Sequence, residues 1–340
     1  MNTATSTKPA STDAAARARK QVLVFRELPP DQLARLQAEH DVVVANPRID
    51  AQRAAFFAAL PSAQGLIGSS FGIDVAALAQ APKLEVVSSI SVGVDNYDIA
   101  AFRQRGVMLC HTPGVLTETT ADTIFALIMA SSRRIVELAN HVRDGHWRSN
   151  IGDALFGWDV HGKTLGIVGF GRIGQALARR AALGFGMPVV FHNNTALDLA
   201  TQAPELAARA QQVSLDELLK RADIVALTVP LSDETRGLMN ARRFAAMKPG
   251  AIFVNGSRGP IVDEAALLAA LDKGHLRAAG LDVFAVEPLP QDSPLRRHDK
   301  VTALPHIGSA THETRHAMAV LAVDNLLAAL AGRTPTARFV

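Results

Sequence analysis

The chain has 340 residues, 48% of them apolar and 20% charged, the balance of a soluble globular protein with length for one large or two medium domains. Its net charge of +3 is carried by the first 20 residues, where Lys8, Arg17, Arg19 and Lys20 stand against Asp13 alone; the rest is formally neutral, which argues against a nucleic-acid partner. No apolar run reaches the roughly 18 residues of a membrane span, and Cys110, the only cysteine, excludes an internal disulfide and fits a cytoplasmic protein.

The opening MNTATSTKPASTDAAARARK is rich in Ser, Thr and Ala and lacks an apolar core. It reads as a disordered tail over residues 1–20 rather than a secretory signal, with an organelle transit peptide as the minor alternative. From Gln21, short apolar runs (QVLVF, VVVA, GLIGS, EVVSSI, VMLCHT) alternate with helix-like stretches such as PDQLARLQAEH and AQRAAFFAAL. That alternation predicts βαβ units and a parallel sheet. One long helical pattern follows, from about Leu116 to Arg143, with Thr117, Thr119 and Thr120 near its start.

A second alternating series begins at Lys163: TLGIVGF, PVVFHN, DIVALTVP, AIFVNGS, AAGLDVF and TALPHI. The chain closes on another helical stretch, Thr311 to about Ala331. If the last helix returns the chain to the first unit, that unit is discontinuous. The expected division is residues 21–114 with 306–340 in one α/β domain and 115–305 in the other.

The second series opens with Gly169-Phe170-Gly171-Arg172-Ile173-Gly174 between an apolar strand and a helical pattern. In that context the glycines serve a dinucleotide: the first for a tight turn, the second for backbone approach to a pyrophosphate, the third for helix–strand packing. An NAD enzyme usually carries an acidic residue at the end of the next strand to accept from the ribose 2′-OH. Here stand Asn193, Asn194 and Thr195, which bring no repelling charge and can donate to a 2′-phosphate. The reading favours NADP(H), with NAD(H) as the alternative.

Three residues then follow strand ends in the same unit: Arg258 in AIFVNGSRGPIVDE, Glu287 in GLDVFAVEPLP and His306 in TALPHIGSATHETR. Each alone is more often structural. Together they suit hydride transfer to a 2-keto acid, which needs a cation for the carboxylate and a proton donor for the carbonyl oxygen. Arginine offers a planar bidentate fork, and histidine titrates near neutrality. A carboxylate beside the ring favours imidazolium and fixes the tautomer.

The order and wording of GKTLGIVGFGRIGQALARRA, NGSRGPIVDE, AAGLDVFAVEPLP and LPHIGSATHET resemble the D-isomer-specific 2-hydroxyacid dehydrogenase family, from about Val22 to the C-terminus. The stretches SISVGVDNYDI, CHTPGVLTETTADT and DSPL bring the likeness closest to its branch of glyoxylate/hydroxypyruvate (2-ketogluconate) reductases. The resemblance implies a Rossmann-type dinucleotide-binding domain plus a smaller flavodoxin-like α/β substrate domain, closing over the ligand by a hinge, in a homodimer built on the long helix. It implies that Arg258 binds the substrate carboxylate and carbonyl, that His306 is the general acid and that Glu287 is its partner. Backbone amides at Val92 and Gly93, and Ser69, would hold substrate. Asp282 would meet the nicotinamide carboxamide, and Thr119, Pro230 and Ser257 would line the cofactor. Two departures stand out: Gly256-Ser257 where relatives often have alanine or glycine, and Asn194-Thr195 where relatives using NADP often carry arginine. A different class of function, a dinucleotide-sensing corepressor-like protein without turnover, would keep the same three residues. No metal and no membrane partner is expected.

Overall fold

A computed structural model describes residues 18–340. The expected tail lies mostly outside the described residues; at its end, Arg19 and Lys20 belong to the folded body. Arg19 pairs with Asp41 at 2.8 Å and Lys20 with Glu85 at 2.5 Å. The chain divides into two compact units. The first takes the described residues up to Ile90, then Asn96–His111 and Ala319–Val340; the second takes Ser91–Asp95 and Thr112–Met318. The C-terminal crossing falls at Ala319, inside the last helix, and not at His306.

The first unit is a five-stranded parallel sheet, β1 (Gln21–Val24), β2 (Asp41–Val44), β3 (Gly65–Gly68), β4 (Val86–Ser89) and β5 (Met108–Cys110), in the order β2-β1-β3-β4-β5. That is the flavodoxin-like order. β3 and β4 are buried at every position, as strands covered on both faces must be. The C-terminal half of the helix His312–Leu330 closes this unit. Leu326 and Leu330 pack against Gly65, Ser88 Oγ donates to the Ala322 carbonyl at 2.7 Å, and buried Asn325 joins the His111 carbonyl to the Ala337 N–H. Cys110 is buried here, and burial pushes its thiol up to about 12, so it is inert as a nucleophile at neutral pH.

The second unit is a seven-stranded parallel sheet: β6 (Leu165–Val168), β7 (Val189–His192), β8 (Ala210–Gln212), β9 (Ile224–Leu227), β10 (Ala251–Asn255), β11 (Leu276–Leu281) and β12 (Val301–Ala303). The order β12-β11-β10-β9-β6-β7-β8 extends the Rossmann arrangement by one strand. Strand β8, Ala-Gln-Gln at the sheet edge, is absent from the sequence expectation because it has no apolar run. Leu165 and Ile167 pack on one face with Ile124, Leu127 and Ile128. Val225, Leu227 and Phe253 pack on the other with Leu218, Phe244 and Leu267. Each such side chain contributes about 1.5–3 kcal/mol on full burial.

The expected helix over 116–143 is two helices, Thr117–Arg133 and Ile135–Arg143. They break at Arg134, which sits in the left-handed region at φ 54. Its guanidinium grips Glu137 through two bonds of 2.8 and 2.6 Å and the Ala154 carbonyl at 2.5 Å. These bonds, two local and one to a residue twenty positions on, offset the strain of a non-glycine residue there. The second helix buries none of its residues. Among the described residues, no helix is long and apolar enough to cross a membrane.

Candidate active site

All three chemistry-bearing residues sit beyond the carboxyl ends of strands in the second unit, the edge where open α/β sheets hold ligands. Arg258 follows β10. Asn255, fully buried at the strand's end, pins the loop from both sides: its amide oxygen accepts from the Ser257 N–H and its amide nitrogen donates to the Arg258 carbonyl, each at 3.0 Å. Arg258 then donates from Nε to Asp95 at 3.0 Å and from Nη1 to the Ser257 carbonyl at 2.8 Å. Neither Asn255 nor Asp95 was singled out by the sequence; an Asn at a strand's end reads as an ordinary turn residue.

The loop Ser91–Asp95 is shaped around that guanidinium. A Cβ on Gly93 would stand 1.7 Å from Arg258 Nη2, so only glycine permits the approach. The Gly93 N–H is satisfied weakly by Ser91 Oγ at 3.2 Å. On its other side the arginine loop abuts the segment that carries the glutamate, where a Cβ on Gly259 would meet the Phe284 carbonyl carbon at 1.8 Å. Glu264 fastens that segment by accepting from the Ala285 N–H at 2.7 Å.

His306 Nδ1 lies 2.7 Å from Glu287 Oε2, while Glu287 Oε1 accepts from the Phe284 N–H at 3.0 Å. The Glu287–Pro288 peptide is cis. Burial pushes the Glu287 carboxyl up, but the bond to His306, the Phe284 N–H and the charges of His306 and Arg258 outweigh it and hold it below the usual carboxylate value. His306 is half exposed and sits at φ 56, left-handed backbone that non-glycine residues use sparingly. The loop is fixed by Asp282, buried at the end of β11, whose two oxygens accept from the Ile307 and Gly308 N–H groups at 2.7 and 2.8 Å. Burial raises the Asp282 carboxyl above its usual value against the pull of those two N–H groups. Asp282 therefore positions the histidine loop, a contact the sequence did not suggest.

The remaining candidates fall in two groups. At the switch point between β6 and β9, Gly169 takes φ 93, and a Cβ on Gly171 would point into open space. The helix Arg172–Arg179 starts there with no side-chain cap, leaving its first N–H groups for an anion. Arg172 is exposed and Ile173 packs on the core. Pro230 is exposed past β9, and its carbonyl accepts from Thr235. Ser257 Oγ is buried without a hydrogen-bond partner among the described residues. Open cradle, uncapped helix and orphaned hydroxyl fit a bound dinucleotide.

Elsewhere the expected donors are partly engaged. Asn193 accepts from the Phe170 N–H at 3.3 Å and donates to the Thr195 carbonyl and hydroxyl at 3.1 and 3.0 Å. It braces the turn, which leaves exposed Asn194 and the Thr195 O–H to face solvent at the end of β7. Thr119 Oγ1 is 2.5 Å from Thr314 Oγ1. Ser69 belongs to the first unit, buried at the end of β3. Among the described residues no group of His, Cys, Asp and Glu could hold a metal ion.

Residues 125–308 match the model of the D-isomer specific 2-hydroxyacid dehydrogenase NAD binding domain. Over 315 residues, 92% of this chain and 95% of the relative, it is 51% identical to glyoxylate/hydroxypyruvate reductase B of Shigella boydii. Identity is 50% to that of Escherichia coli strain SMS-3-5, with the same coverage. Among solved structures, a Thermus thermophilus protein aligns at TM-score 0.86 and 46% identity, over 94% of this chain and all of that one. An NADPH-dependent glyoxylate/hydroxypyruvate reductase of Sinorhizobium meliloti, in complex with NADP and malonate, aligns at TM-score 0.84 and 31% identity, over 95% and 97% of the two chains.

Proposed function

The chain belongs to the D-isomer-specific 2-hydroxyacid dehydrogenase family, and on that premise we propose that it reduces small 2-keto acids, glyoxylate and hydroxypyruvate among them, to D-2-hydroxy acids. The observation that carries the reading is the His306–Glu287 pair at 2.7 Å, whose carboxylate also feels the charge of Arg258. A reduced nicotinamide dinucleotide, held on the cradle at Gly169–Gly174, supplies the hydride when bound. Arg258 takes the substrate carboxylate and polarises the carbonyl, held in place by Asp95 and the Ser257 carbonyl. Backbone amides at Val92 and Gly93 serve the substrate side. His306 delivers a proton from Nε2 to the developing alkoxide, its Nδ1–H kept on Glu287. Asp282 holds the histidine loop, with Thr119, Pro230 and Ser257 assigned to the cofactor.

We favour NADP(H) because no carboxylate is free at the end of β7. The next acid, Asp198, is committed to capping the helix Leu199–Gln202. The test is loss of reduced-dinucleotide absorbance with NADPH and NADH in parallel on glyoxylate, hydroxypyruvate, 2-ketogluconate and pyruvate. Faster turnover with NADPH is expected. Turnover with NADH alone would keep the chemistry and overturn the cofactor preference, and silence on every pair would overturn the reductase reading.

The proposed assembly is a homodimer. Ile135, Val136 and Val142 of the unburied helix are exposed, with Trp147, Ile151 and Phe156 just after it, a concentration of apolar surface that monomers seldom leave to water. Light scattering should give about twice the 36.1 kDa chain mass. Val142→Asp should shift the protein towards monomer, and a monomeric parent chain would refute the assembly.

A further inference from the structure

The opposite edge of the seven-stranded sheet, where β6, β9, β10 and β11 begin, holds a cavity of about 220 Å³. It lies wholly within the second unit, at the far end of the strands from Arg258, Glu287 and His306. Its central side chain is Arg277. Ala251 and Ile252 are consecutive on β10, yet their partners on β11 are Leu276 and Ala278. Arg277 is therefore the extra residue of a β-bulge, a device that re-aims a side chain. Its guanidinium lies over the Trp158 ring, 4.1 Å from the centroid. It also crosses Gly250, where an added Cβ would stand 2.9 Å from Nη2.

Stacking occupies the face of the guanidinium and leaves its N–H edge. Among the described residues that edge makes no hydrogen bond and no ion pair. The neighbouring acid is already committed: Asp223 takes Lys248 Nζ on one oxygen at 2.8 Å and the Thr164 N–H on the other at 2.9 Å. Burial pulls the Arg277 guanidinium below an arginine's usual value, against the charge of Asp223. A cation partly stripped of water without a hydrogen-bonded partner gains from an anion that brings one. Lys163 and Lys248 share the wall, so three cations face Asp159 and Asp223. A planar fork of N–H donors, already oriented by an aromatic ring, matches two oxygens of one group. The volume is below the roughly 300–1,000 Å³ of drug-sized pockets, which selects a ligand of few atoms. We propose that Arg277, stacked on Trp158 and flanked by Lys163 and Lys248, binds a small multiply charged oxyanion, a dicarboxylate or phosphate, at a site separate from the reaction edge. The site stands independently of keto acid reduction.

The experiment titrates the full chain with inorganic phosphate and, separately, with succinate, each against sodium chloride at matched ionic strength to remove general screening. The chain has two tryptophans, Trp147 and Trp158. Trp147 is exposed, so in Trp147→Phe the emission of Trp158 alone reports the site. A saturable change is expected with at least one of the two anions, and which one responds separates phosphate from carboxylate. Arg277→Met in that background should weaken the apparent Kd about 10–100-fold, the loss expected for charged hydrogen bonds. Arg277→Lys, which keeps the charge without the fork, should recover part of it, and Lys163→Met, on an exposed lysine, should weaken binding as well. Those two variants carry the test if Arg277→Met does not fold. Arg258→Met should leave the titration unchanged, because that arginine lies at the other edge of the sheet. Chloride reproducing the response, no saturable response to either anion, or equal affinity with and without the Arg277 guanidinium would overturn the site. Loss of the response in Arg258→Met would place the anion at the reaction edge and overturn it too.

Discussion

His306→Ala is expected to lower kcat for 2-keto acid reduction by about 10²–10⁴-fold while dinucleotide binding persists. The alkoxide that develops on hydride arrival needs a proton, and His306 is the ring held by a 2.7 Å bond to a carboxylate. Glu287→Gln keeps the shape of that pair and removes its charge. With no carboxylate to accept from the ring, its orientation and tautomer are no longer fixed, and kcat for reduction should fall in Glu287→Gln. The carboxylate itself does not limit the enzyme near neutrality. Its depressed value means that the stabilisation from the ionised form is present above the usual carboxylate range and is lost only as pH falls through the lower, folded-state value. Rate profiles of parent and variants check this. Turnover by His306→Ala within tenfold of the parent would place the proton donor elsewhere.

Gly93→Ala is the other substitution with a large expected effect. The added methyl would stand 1.7 Å from Arg258 Nη2, and the guanidinium cannot slide away without leaving Asp95 or the Ser257 carbonyl. A displacement of about 1 Å at a substrate-orienting group costs on the order of 10²-fold. We expect kcat/KM to fall by about that factor with both glyoxylate and hydroxypyruvate, with the melting temperature changing much less than activity because the clash is with the end of one side chain and not with the core. Kinetics within threefold of the parent would mean that Arg258 does not need its observed position.

The two sheets were legible because their strands are apolar runs bounded by turns, and the dinucleotide cradle because its glycines stand between a strand and a helix. What escaped detection was decided by tertiary contacts. Strand β8 has no periodicity and exists only because β7 offers it an edge. The break at Arg134 carries neither proline nor glycine and follows from Glu137 and the Ala154 carbonyl. Arg258, Glu287 and His306 were visible as odd residues at strand ends, but the groups that aim them were not. Asp95 lies 163 positions from its arginine, and Asp282 holds N–H groups 25 and 26 residues on. Contacts of that range leave no trace in local spacing.

The split of the first unit sets an order on synthesis. A chain leaves the ribosome from its N-terminus, and domains generally fold as units as they emerge. Here β1 to β5 emerge first, yet the residues that cover Gly65, satisfy Ser88 and tie down His111 lie within Ala319–Ala337. Those strands must wait for Ala319–Ala337 to be translated, while the continuous stretch Thr112–Met318 can complete its seven-stranded sheet beforehand. The unit built on β1 to β5 therefore becomes native after the seven-stranded one, and until Ala319–Ala337 emerge its Val- and Leu-rich strands lack their cover.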